Sequence, residues 1–441
     1  MSKKQKIIYI KEIIPDRVKN NSVLNISTKG VTSLTHGFHK YPGKFIPHIP
    51  RWAINKYLNG DKGTILDPFC GSGTTLIEGV LAGHNVVGID IDPLSSLISK
   101  VKITPVNLKK LKEIADWLVL SIKKAKKGEF KPECETINHW FTKDAINKLS
   151  IIRTSINQIP GKFGNRKSIK DIQDLLVVCF SSIIRHVSNA DNESQKTYVS
   201  HTKVKNPKEV YSVFFPKLEL FIDRITKFTK LINSDVSAKI SCTSSNKSLH
   251  QKFKVIKFDL VITSPPYIKA LDYIYNQMVE LFWIGDLFDL QTQSKQNQKK
   301  EGYIGTKHLR KAKFKDYTPY KNIFGINRLD EKLQEVFVTD KKNGHKHSFV
   351  TFKYFTNMEK HFIEIAKCIC KGTPYIMVVG NSTVSNIYFD TVDFLIQIAE
   401  QSGFKARNKW GYEIKNRYMR FDRKGRGGII DIDWVIDFVR K

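Results

Sequence analysis

The chain has 441 residues, of which 41% are hydrophobic, a proportion typical of globular rather than disordered proteins. Its formal net charge of +31 indicates a polyanionic partner such as nucleic acid, although a lysine-rich genome composition would also raise the charge. No apolar run reaches the ~18–20 residues of a membrane span, and the N-terminus lacks a signal peptide pattern. The six cysteines form no CxxC pair, so we expect no disulfides, no metal site and a cytoplasmic protein.

The N-terminal part predicts a strand over residues 7–14 and a helix over residues 49–58. Between them lies a loop rich in glycine and proline that contains His36, His39 and His48. No cysteine or carboxylate lies among these histidines to complete a metal site. We therefore expect the loop to form a pocket wall.

Residues 64–67 predict a short strand, and residues 76–82 predict a helix. The turn between them contains Gly71 and Gly73, which allow the backbone to approach a ligand closely. The free N–H groups at the start of the helix suit a carboxylate or phosphate. Because the spacing is neither GxGxxG nor a Walker A loop, a compact cofactor with its own carboxylate is a better candidate than a dinucleotide or ATP.

A second strand is predicted over residues 85–90 and ends at Asp90. An acidic residue at this point of a βαβ unit binds ribose hydroxyls. Asp92 is the nearby alternative.

Residues 101–236 predict a helical insertion, because helical periodicity recurs over residues 108–127, 142–158 and 172–187. Lysines and arginines in and around these helices make the insertion a candidate for contact with nucleic acid. The alternatives are that it covers the sheet or makes a dimer contact. A third strand and its loop are expected over residues 237–244.

The apolar run at residues 258–262 predicts a buried strand, which Ser264, Pro265, Pro266 and Tyr267 follow closely. The two prolines end the strand and stiffen the loop. This loop would lie at the carboxyl edge of the sheet, where open α/β sheets bind ligands. The serine hydroxyl and free carbonyls can accept hydrogen bonds from an amine, and the tyrosine offers an aromatic face to a flat base.

The C-terminal part begins with a predicted helix that ends at Trp283. Residues 290–350 are rich in lysine and polar residues, so we expect a mobile basic loop region there, which is a second candidate for DNA contact. The remaining predicted elements are a helix at 358–370, a strand at 375–380, a helix at 389–401 and a strand at 430–439.

Two stretches together, Asp67-Pro68-Phe69-Cys70-Gly71-Ser72-Gly73-Thr74-Thr75 and Ser264-Pro265-Pro266-Tyr267, resemble the amino-group DNA methyltransferases, which use S-adenosylmethionine. The first resembles cofactor motif I and the second resembles catalytic motif IV. Residues 87–90 resemble motif II, and residues 41–45 resemble motif X, which lies beside the methionine end of the cofactor. The resemblance is strong over residues 36–100 and 255–285 and weak elsewhere.

The resemblance implies site residues. Those implied to be catalytic are Ser264, Pro265, Pro266 and Tyr267. Those implied to bind S-adenosylmethionine are Tyr41, Lys44, Phe45, Asp67, Pro68, Phe69, Gly71, Ser72, Gly73, Thr74 and Asp90. The family often has an acidic residue after the third strand that contacts the adenine, and this chain has Cys242, Thr243, Ser244 and Ser245 there instead.

The fold implied by the resemblance is α/β, a doubly wound and mostly parallel seven-stranded methyltransferase sheet with a helical insertion. Residues 1–100 would carry the cofactor motifs and residues 237–441 the catalytic motif. The motif order resembles that of the family group whose target-recognition region lies between these two parts, here residues 101–236.

The implied function is site-specific methylation of double-stranded DNA at the exocyclic amine of a flipped base, alongside a companion restriction endonuclease. A serine at position 264 favours cytosine N4 in this family, and adenine N6 remains open. The chain has no Pro-Cys dipeptide, the usual setting of the nucleophile in cytosine C5 enzymes. Two alternatives are an RNA methyltransferase acting on a base amine and an inactive nucleic-acid-binding protein. The second is disfavoured, because a protein that only binds nucleic acid needs neither the glycine turn nor the Ser-Pro-Pro-Tyr loop.

Overall fold

The computed structural model describes residues 7–10, 13–192, 196–202, 204–233, 235–268, 272–320, 324–415 and 430–441. Of the strand predicted over residues 7–14, residues 11 and 12 lie outside this set. The strands are β1 (Ile7–Ile10), β2 (Val23–Ile26), β3 (Thr64–Asp67), β4 (Asn85–Asp90), β5 (Ala238–Cys242), β6 (Leu260–Thr263), β7 (Pro374–Val379), β8 (Ser382–Val384), β9 (Ile387–Phe389), β10 (Phe404–Glu413) and β11 (Ile432–Arg440).

The helices fall into three groups along the chain. Those of the N-terminal part are α1 (His48–Leu58), α2 (Thr74–Leu81) and α3 (Pro93–Ile103). Those that follow, up to β5, are α4 (Leu108–Lys124), α5 (Ile137–Trp140), α6 (Lys143–Asn157), α7 (Ile159–Phe163), α8 (Lys167–Val187) and α9 (Val210–Leu231). The last are α10 (Leu249–Lys252), α11 (Tyr273–Asn276), α12 (Met278–Ile284), α13 (Gln293–Lys300), α14 (Asn327–Thr339), α15 (Gly344–Cys368) and α16 (Thr391–Gln401).

Nine of the described strands form one sheet in the order β1-β2-β10-β11-β7-β6-β3-β4-β5. Strands β5, β4, β3, β6 and β7 are parallel to one another, and β11 runs antiparallel between β7 and β10. The prediction of a doubly wound, mostly parallel sheet is confirmed. The prediction of seven strands is too low, because β2 pairs with the far edge at β10 and β1 pairs with β2.

Alternating side chains place an apolar core on each face of the sheet. On β3, Ile65 packs into the core that contains α1, α2 and α3, whereas Leu66 packs into the core that contains α14, α15 and α16. The apolar residues of α4, α6, α8 and α9 join the first of these cores. The helices between β4 and β5 therefore cover one face of the sheet.

The lysine-rich region at residues 290–350 is not a loop throughout, so that expectation is wrong in part. It contains α13, α14 and the start of α15, and residues 321–323 lie outside the described set. In α14, Leu329, Leu333 and Val336 are fully buried. Their spacing of four and three residues forms an apolar helix face, which the lysine-rich sequence on either side of α14 obscured.

Within the described residues, we find no helix with both the length and the hydropathy to cross a membrane.

Candidate active site

The order of strands in the sheet reverses direction between β3 and β6. From β3 the chain continues outward to β4, whereas β6 lies on the other side of β3 and continues to β7. The carboxyl ends of β3 and β6 are therefore adjacent at a topological switch point, where α/β sheets bind ligands. The glycine turn follows β3, and the Ser-Pro-Pro-Tyr loop follows β6.

A cavity lies between these two loops. Nine residues predicted to bind the cofactor line it, together with two of the four predicted catalytic residues. They are Tyr41, Lys44, Phe45, Pro68, Phe69, Gly71, Ser72, Thr74 and Asp90, and Ser264 and Pro266. The remaining predicted residues, Asp67, Gly73, Pro265 and Tyr267, do not line the cavity.

The glycine turn requires glycine for both conformation and space. Gly71 and Gly73 have φ angles of +49° and +82°, in the left-handed region. A Cβ on Gly71 would lie 3.0 Å from a ring carbon of Tyr41, and one on Gly73 would lie 3.1 Å from Ser99 Oγ. Helix α2 begins directly after the turn at Thr74, so its free N–H groups lie at the cavity.

Helix α3 supports the glycine turn from behind through two side chains that sequence reasoning missed. Ser99 Oγ donates to the Gly71 carbonyl at 2.6 Å, and Lys102 Nζ donates to the Ser72 carbonyl at 2.9 Å. Lys102 is 1% exposed, and burial lowers its pKa well below the usual value. Helix α3 also contains Lys100, which pairs with Asp174, so nothing local in the sequence distinguished Lys102 as the residue behind the turn.

The two candidate ribose-binding carboxylates have different environments. Asp90 lines the cavity and accepts hydrogen bonds from the backbone N–H groups of Gly71 and Asp92, both at 2.8 Å. Burial, and secondarily the neighbouring Asp92, raise the pKa of Asp90 to about 7. Asp92 is 1% exposed and caps α3, where it accepts from Ser95 N at 2.7 Å and from the Tyr303 hydroxyl at 2.9 Å. Only Asp90 faces the cavity.

Asp67 links the two loops from behind. Its Oδ1 accepts from the Thr263 hydroxyl at 2.6 Å and from Phe69 N at 3.2 Å, and Thr263 directly precedes Ser264. Burial raises the pKa of Asp67 to about 6. The geometry gives Asp67 a role in the alignment of the loops, whereas its predicted contact with the cofactor stays a prediction.

Tyr267 is held by a residue that sequence reasoning missed. The Tyr267 hydroxyl donates to Asp433 Oδ1 at 2.5 Å, and the Tyr412 hydroxyl donates to Asp433 Oδ2 at 3.0 Å. No local signal could have identified Asp433, because it lies 166 residues further along the chain.

Two further segments that the sequence did not predict line the cavity. Tyr273 stacks on Tyr41 with ring centroids 5.8 Å apart, and Tyr303 stacks on Tyr273 at 6.3 Å. Tyr303 belongs to the short segment Gly302, Tyr303 and Ile304, which lines the cavity from within the lysine-rich region. The polar composition around this segment gave no signal of a binding role.

The loop after β5 also reaches the cavity. Thr243, Ser244 and Ser245 line it, and Thr243 N donates to the Asp90 carbonyl at 2.9 Å. These residues offer hydroxyl groups at the place where the family often has an acidic side chain.

Two of the three N-terminal histidines contact other side chains, whereas the Nδ1 atom of His48 is buried with no hydrogen-bond partner among the described residues. His36 Nε2 lies 2.9 Å from Glu78 Oε1, and His39 Nε2 lies 3.2 Å from Ser181 Oγ. In the part of the chain that the structure describes, no group of three or more His, Cys, Asp or Glu side chains is arranged to hold a metal ion.

Comparison with known proteins gives matches along most of the chain. A family described as DNA methylase matches residues 3–100, and one described as RMKL-like, methyltransferase domain matches residues 58–204. Type II methyltransferase M.MvaI of Kocuria varians is 28% identical over 425 residues, which cover 91% of this chain and 88% of that protein. Type II methyltransferase M.BsoBI of Geobacillus stearothermophilus is 26% identical over 415 residues, which cover 84% and 78%.

A shorter match involves an enzyme that is named for RNA. The tRNA (guanine(10)-N2)-dimethyltransferase of Methanothermobacter thermautotrophicus is 52% identical over 54 residues, which cover 12% of this chain and 16% of that protein. The two Type II methyltransferases match over far more of their length. The comparisons therefore support an amino-group DNA methyltransferase, an enzyme of a family that uses S-adenosylmethionine.

Proposed function

We propose that this enzyme transfers a methyl group from S-adenosylmethionine to the N4 amine of a cytosine that is flipped out of double-stranded DNA. The observation that carries the proposal is the shared cavity. Ser264 and Pro266 of one loop face the same space as Gly71 and Ser72 of the other. A cofactor held by the glycine turn would thus lie next to a base held by the Ser-Pro-Pro-Tyr loop.

The groups on the cavity wall fit the polar parts of S-adenosylmethionine. The N-terminus of α2 and the Lys44 ammonium suit its carboxylate, and the Asp90 carboxylate suits its ribose hydroxyls. Among the described residues, Ser72 Oγ and Ser245 Oγ are buried at this wall without a hydrogen-bond partner. Because buried polar atoms are normally paired, a polar ligand in the cavity would complete their hydrogen bonding.

The exocyclic amine of cytosine is a weak nucleophile, because its lone pair is delocalised into the ring. S-adenosylmethionine supplies an electrophilic methyl group. The Ser264 hydroxyl oxygen and the Pro265 carbonyl would accept the two amine hydrogens and favour a pyramidal nitrogen with a localised lone pair. That nitrogen forms the bond to the methyl carbon, the carbon–sulfur bond breaks with its electron pair going to sulfur, and the amine releases one proton to solvent. Positioning of this kind contributes up to ~7–11 kcal/mol.

The base must leave the duplex to reach this site, which costs a few kcal/mol. Stacking on the Tyr267 ring would offset about 1–3 kcal/mol of this cost. The formal charge of +31 suits a nucleic-acid substrate.

We assign target recognition to the insertion at residues 101–236. The rival region at residues 290–350 supplies Gly302, Tyr303 and Ile304 to the wall of the cofactor cavity. Cofactor binding would therefore account for this region without a role in DNA recognition. Charge reversal of the exposed Lys109 and Lys112 on α4 should weaken DNA binding and reduce its salt dependence. If reversal of the exposed Lys311 and Lys315 had the larger effect, the assignment would pass to the second region.

Mass spectrometry of nucleosides tests the proposed reaction. Duplex DNA of mixed sequence is incubated with the protein and S-adenosylmethionine and then digested. N4-methylcytosine is the expected product. N6-methyladenine would preserve the mechanism and overturn the choice of base, and the absence of methylated nucleosides would contradict DNA as the substrate.

A second candidate function is methylation of a base amine in structured RNA. The 54-residue match to a tRNA dimethyltransferase favours it, and the same loops and positive charge would serve. Competition between duplex DNA and transfer RNA in the same reaction distinguishes the two.

We also propose a companion restriction endonuclease, whose absence from the same genome would remove this part of the proposal.

A further inference from the structure

Strand β11 supplies a carboxylate to the Ser-Pro-Pro-Tyr loop. Asp433 lies directly opposite Tyr412 of β10 in the antiparallel register, so the two side chains share one face of the sheet. Its two oxygens accept from two tyrosine hydroxyls, Tyr267 at 2.5 Å and Tyr412 at 3.0 Å. The carboxylate therefore connects the loop after β6 to the far antiparallel pair of the sheet.

The ring of Tyr267 is confined as well as its hydroxyl. Gly380 directly follows β7, and a Cβ at this position would lie 3.2 Å from Tyr267 Cε2 and 2.7 Å from a methyl carbon of Ile430. A Cβ on Gly305 would lie 2.7 Å from the Tyr267 carbonyl oxygen. Tyr267 therefore packs against Gly380 and Gly305, where a larger residue would not fit, and its hydroxyl is bound by Asp433.

Asp433 differs from the other aspartate on the same face of β11. Asp437 pairs with Lys56 and Arg407 and also accepts from the Tyr57 hydroxyl. No basic side chain among the described residues pairs with Asp433, and burial raises its pKa despite the hydrogen bonds from the two tyrosine hydroxyls. Asp437 has the ion pairs of a structural residue, whereas the described partners of Asp433 are two tyrosine hydroxyls.

We propose that Asp433 is a positioning residue that holds the Tyr267 ring in the orientation in which the flipped base stacks on it. This inference rests on the proposed function, because it takes Tyr267 as the residue that contacts the base. Asp433 itself touches neither base nor cofactor in this account.

The test is a double-mutant cycle on single-turnover methylation, measured together with DNA and cofactor affinity. Tyr267→Phe removes the hydroxyl and keeps the ring, and Asp433→Ala removes the acceptor. Each should slow methylation about tenfold, the loss of one hydrogen bond to a charged group, with cofactor affinity unchanged. The double variant should be no slower than either single variant, because both changes remove the same hydrogen bond.

Matched variants separate positioning from stability. Asp437→Ala removes an aspartate on the same strand and face that also binds a tyrosine hydroxyl, so it should lower stability and leave the methylation rate of the folded protein unchanged. Asp433→Asn keeps one acceptor oxygen and should recover most of the rate. If Asp433→Ala does not fold, the same cycle is run with Asp433→Leu, which fills the space.

Additive effects of Tyr267→Phe and Asp433→Ala would overturn this inference and leave the proposed function intact. Equal methylation rates for Asp433→Ala and Asp437→Ala would have the same consequence. A wild-type protein that methylates no nucleic acid would instead overturn the proposed function and, with it, this inference.

Discussion

Cofactor affinity should depend on the protonation of Asp90. This carboxylate lines the cavity, and burial raises its pKa to about 7. In its ionised form it can accept hydrogen bonds from ribose hydroxyls, and in its protonated form it loses this capacity in part. Affinity for S-adenosylmethionine should therefore fall as the pH decreases through 7.

The size of the effect follows from the pKa. With a value of about 7, about 90% of Asp90 is ionised at pH 8 and about 10% at pH 6. If only the ionised form binds the ribose, Kd rises about tenfold as the pH falls from 8 to 6. The Asp90→Asn variant keeps an oxygen for one backbone N–H and loses the charge, which should weaken binding at pH 8 by about 1.5–3 kcal/mol, or about 10- to 150-fold.

Isothermal titration calorimetry at pH 6, 7 and 8 measures these affinities. The amino group of the cofactor also titrates, so the ratio of Kd values for wild type and Asp90→Asn isolates the protein group. The advantage of wild type over Asp90→Asn should therefore shrink about tenfold between pH 8 and pH 6. Asp92→Asn keeps a capping oxygen for α3 and removes a charge that raises the pKa of Asp90, so the fall in affinity should move to lower pH. A ratio that does not change with pH, or an equal affinity of Asp90→Asn and wild type at pH 8, would refute the reasoning.

The other predictions concern the two loops and their supports. Ser264→Ala should lower the methylation rate at least tenfold with cofactor affinity unchanged, and an unchanged rate would contradict its role. Gly73→Ala should weaken cofactor binding, because a Cβ meets Ser99 and the φ angle of +82° becomes strained; equal affinity in calorimetry would refute this. Lys102→Met removes the donor to the Ser72 carbonyl and a buried ammonium, so thermal unfolding should shift little while cofactor affinity falls; a large loss of stability with unchanged affinity would contradict it. For Asp67, the folded-state pKa of about 6 lies above the unfolded value, so its contribution of about 3 kcal/mol is present below pH 4 and is lost as the pH rises through 6. Urea unfolding at pH 4.5 and 7 should show a smaller difference for Asp67→Asn than for wild type, and equal differences would refute the assignment.

The sequence predicted the features that depend on local physics. Glycines 71 and 73 mark a turn because their φ angles exclude other residues, and the double proline after Thr263 marks a strand end. The cavity forms where the strand order reverses, so the two loops meet as expected for this fold.

The sequence could not predict contacts that depend on pairing between distant strands. Asp433 meets Tyr267 only because β11 inserts between β7 and β10, and β2 joins the sheet only through its pairing with β10. The region at residues 290–350 was misread for a different reason: its lysines lie mostly on either side of α14, which itself contains one lysine and has a buried apolar face. Lys102 supports the glycine turn because α3 packs behind that turn. The composition of the chain does not specify where α3 packs.

The central claim is that the two loops hold cofactor and base for methyl transfer to a base amine in DNA. The most direct measurement uses S-adenosylmethionine with a deuterated methyl group and duplex DNA, followed by mass spectrometry of the nucleosides. Wild-type protein should produce cytosine that carries the deuterated methyl group on N4, and Ser264→Ala should produce far less. Deuterated methyl groups in equal amounts from both proteins, or none from the wild type, would contradict the account.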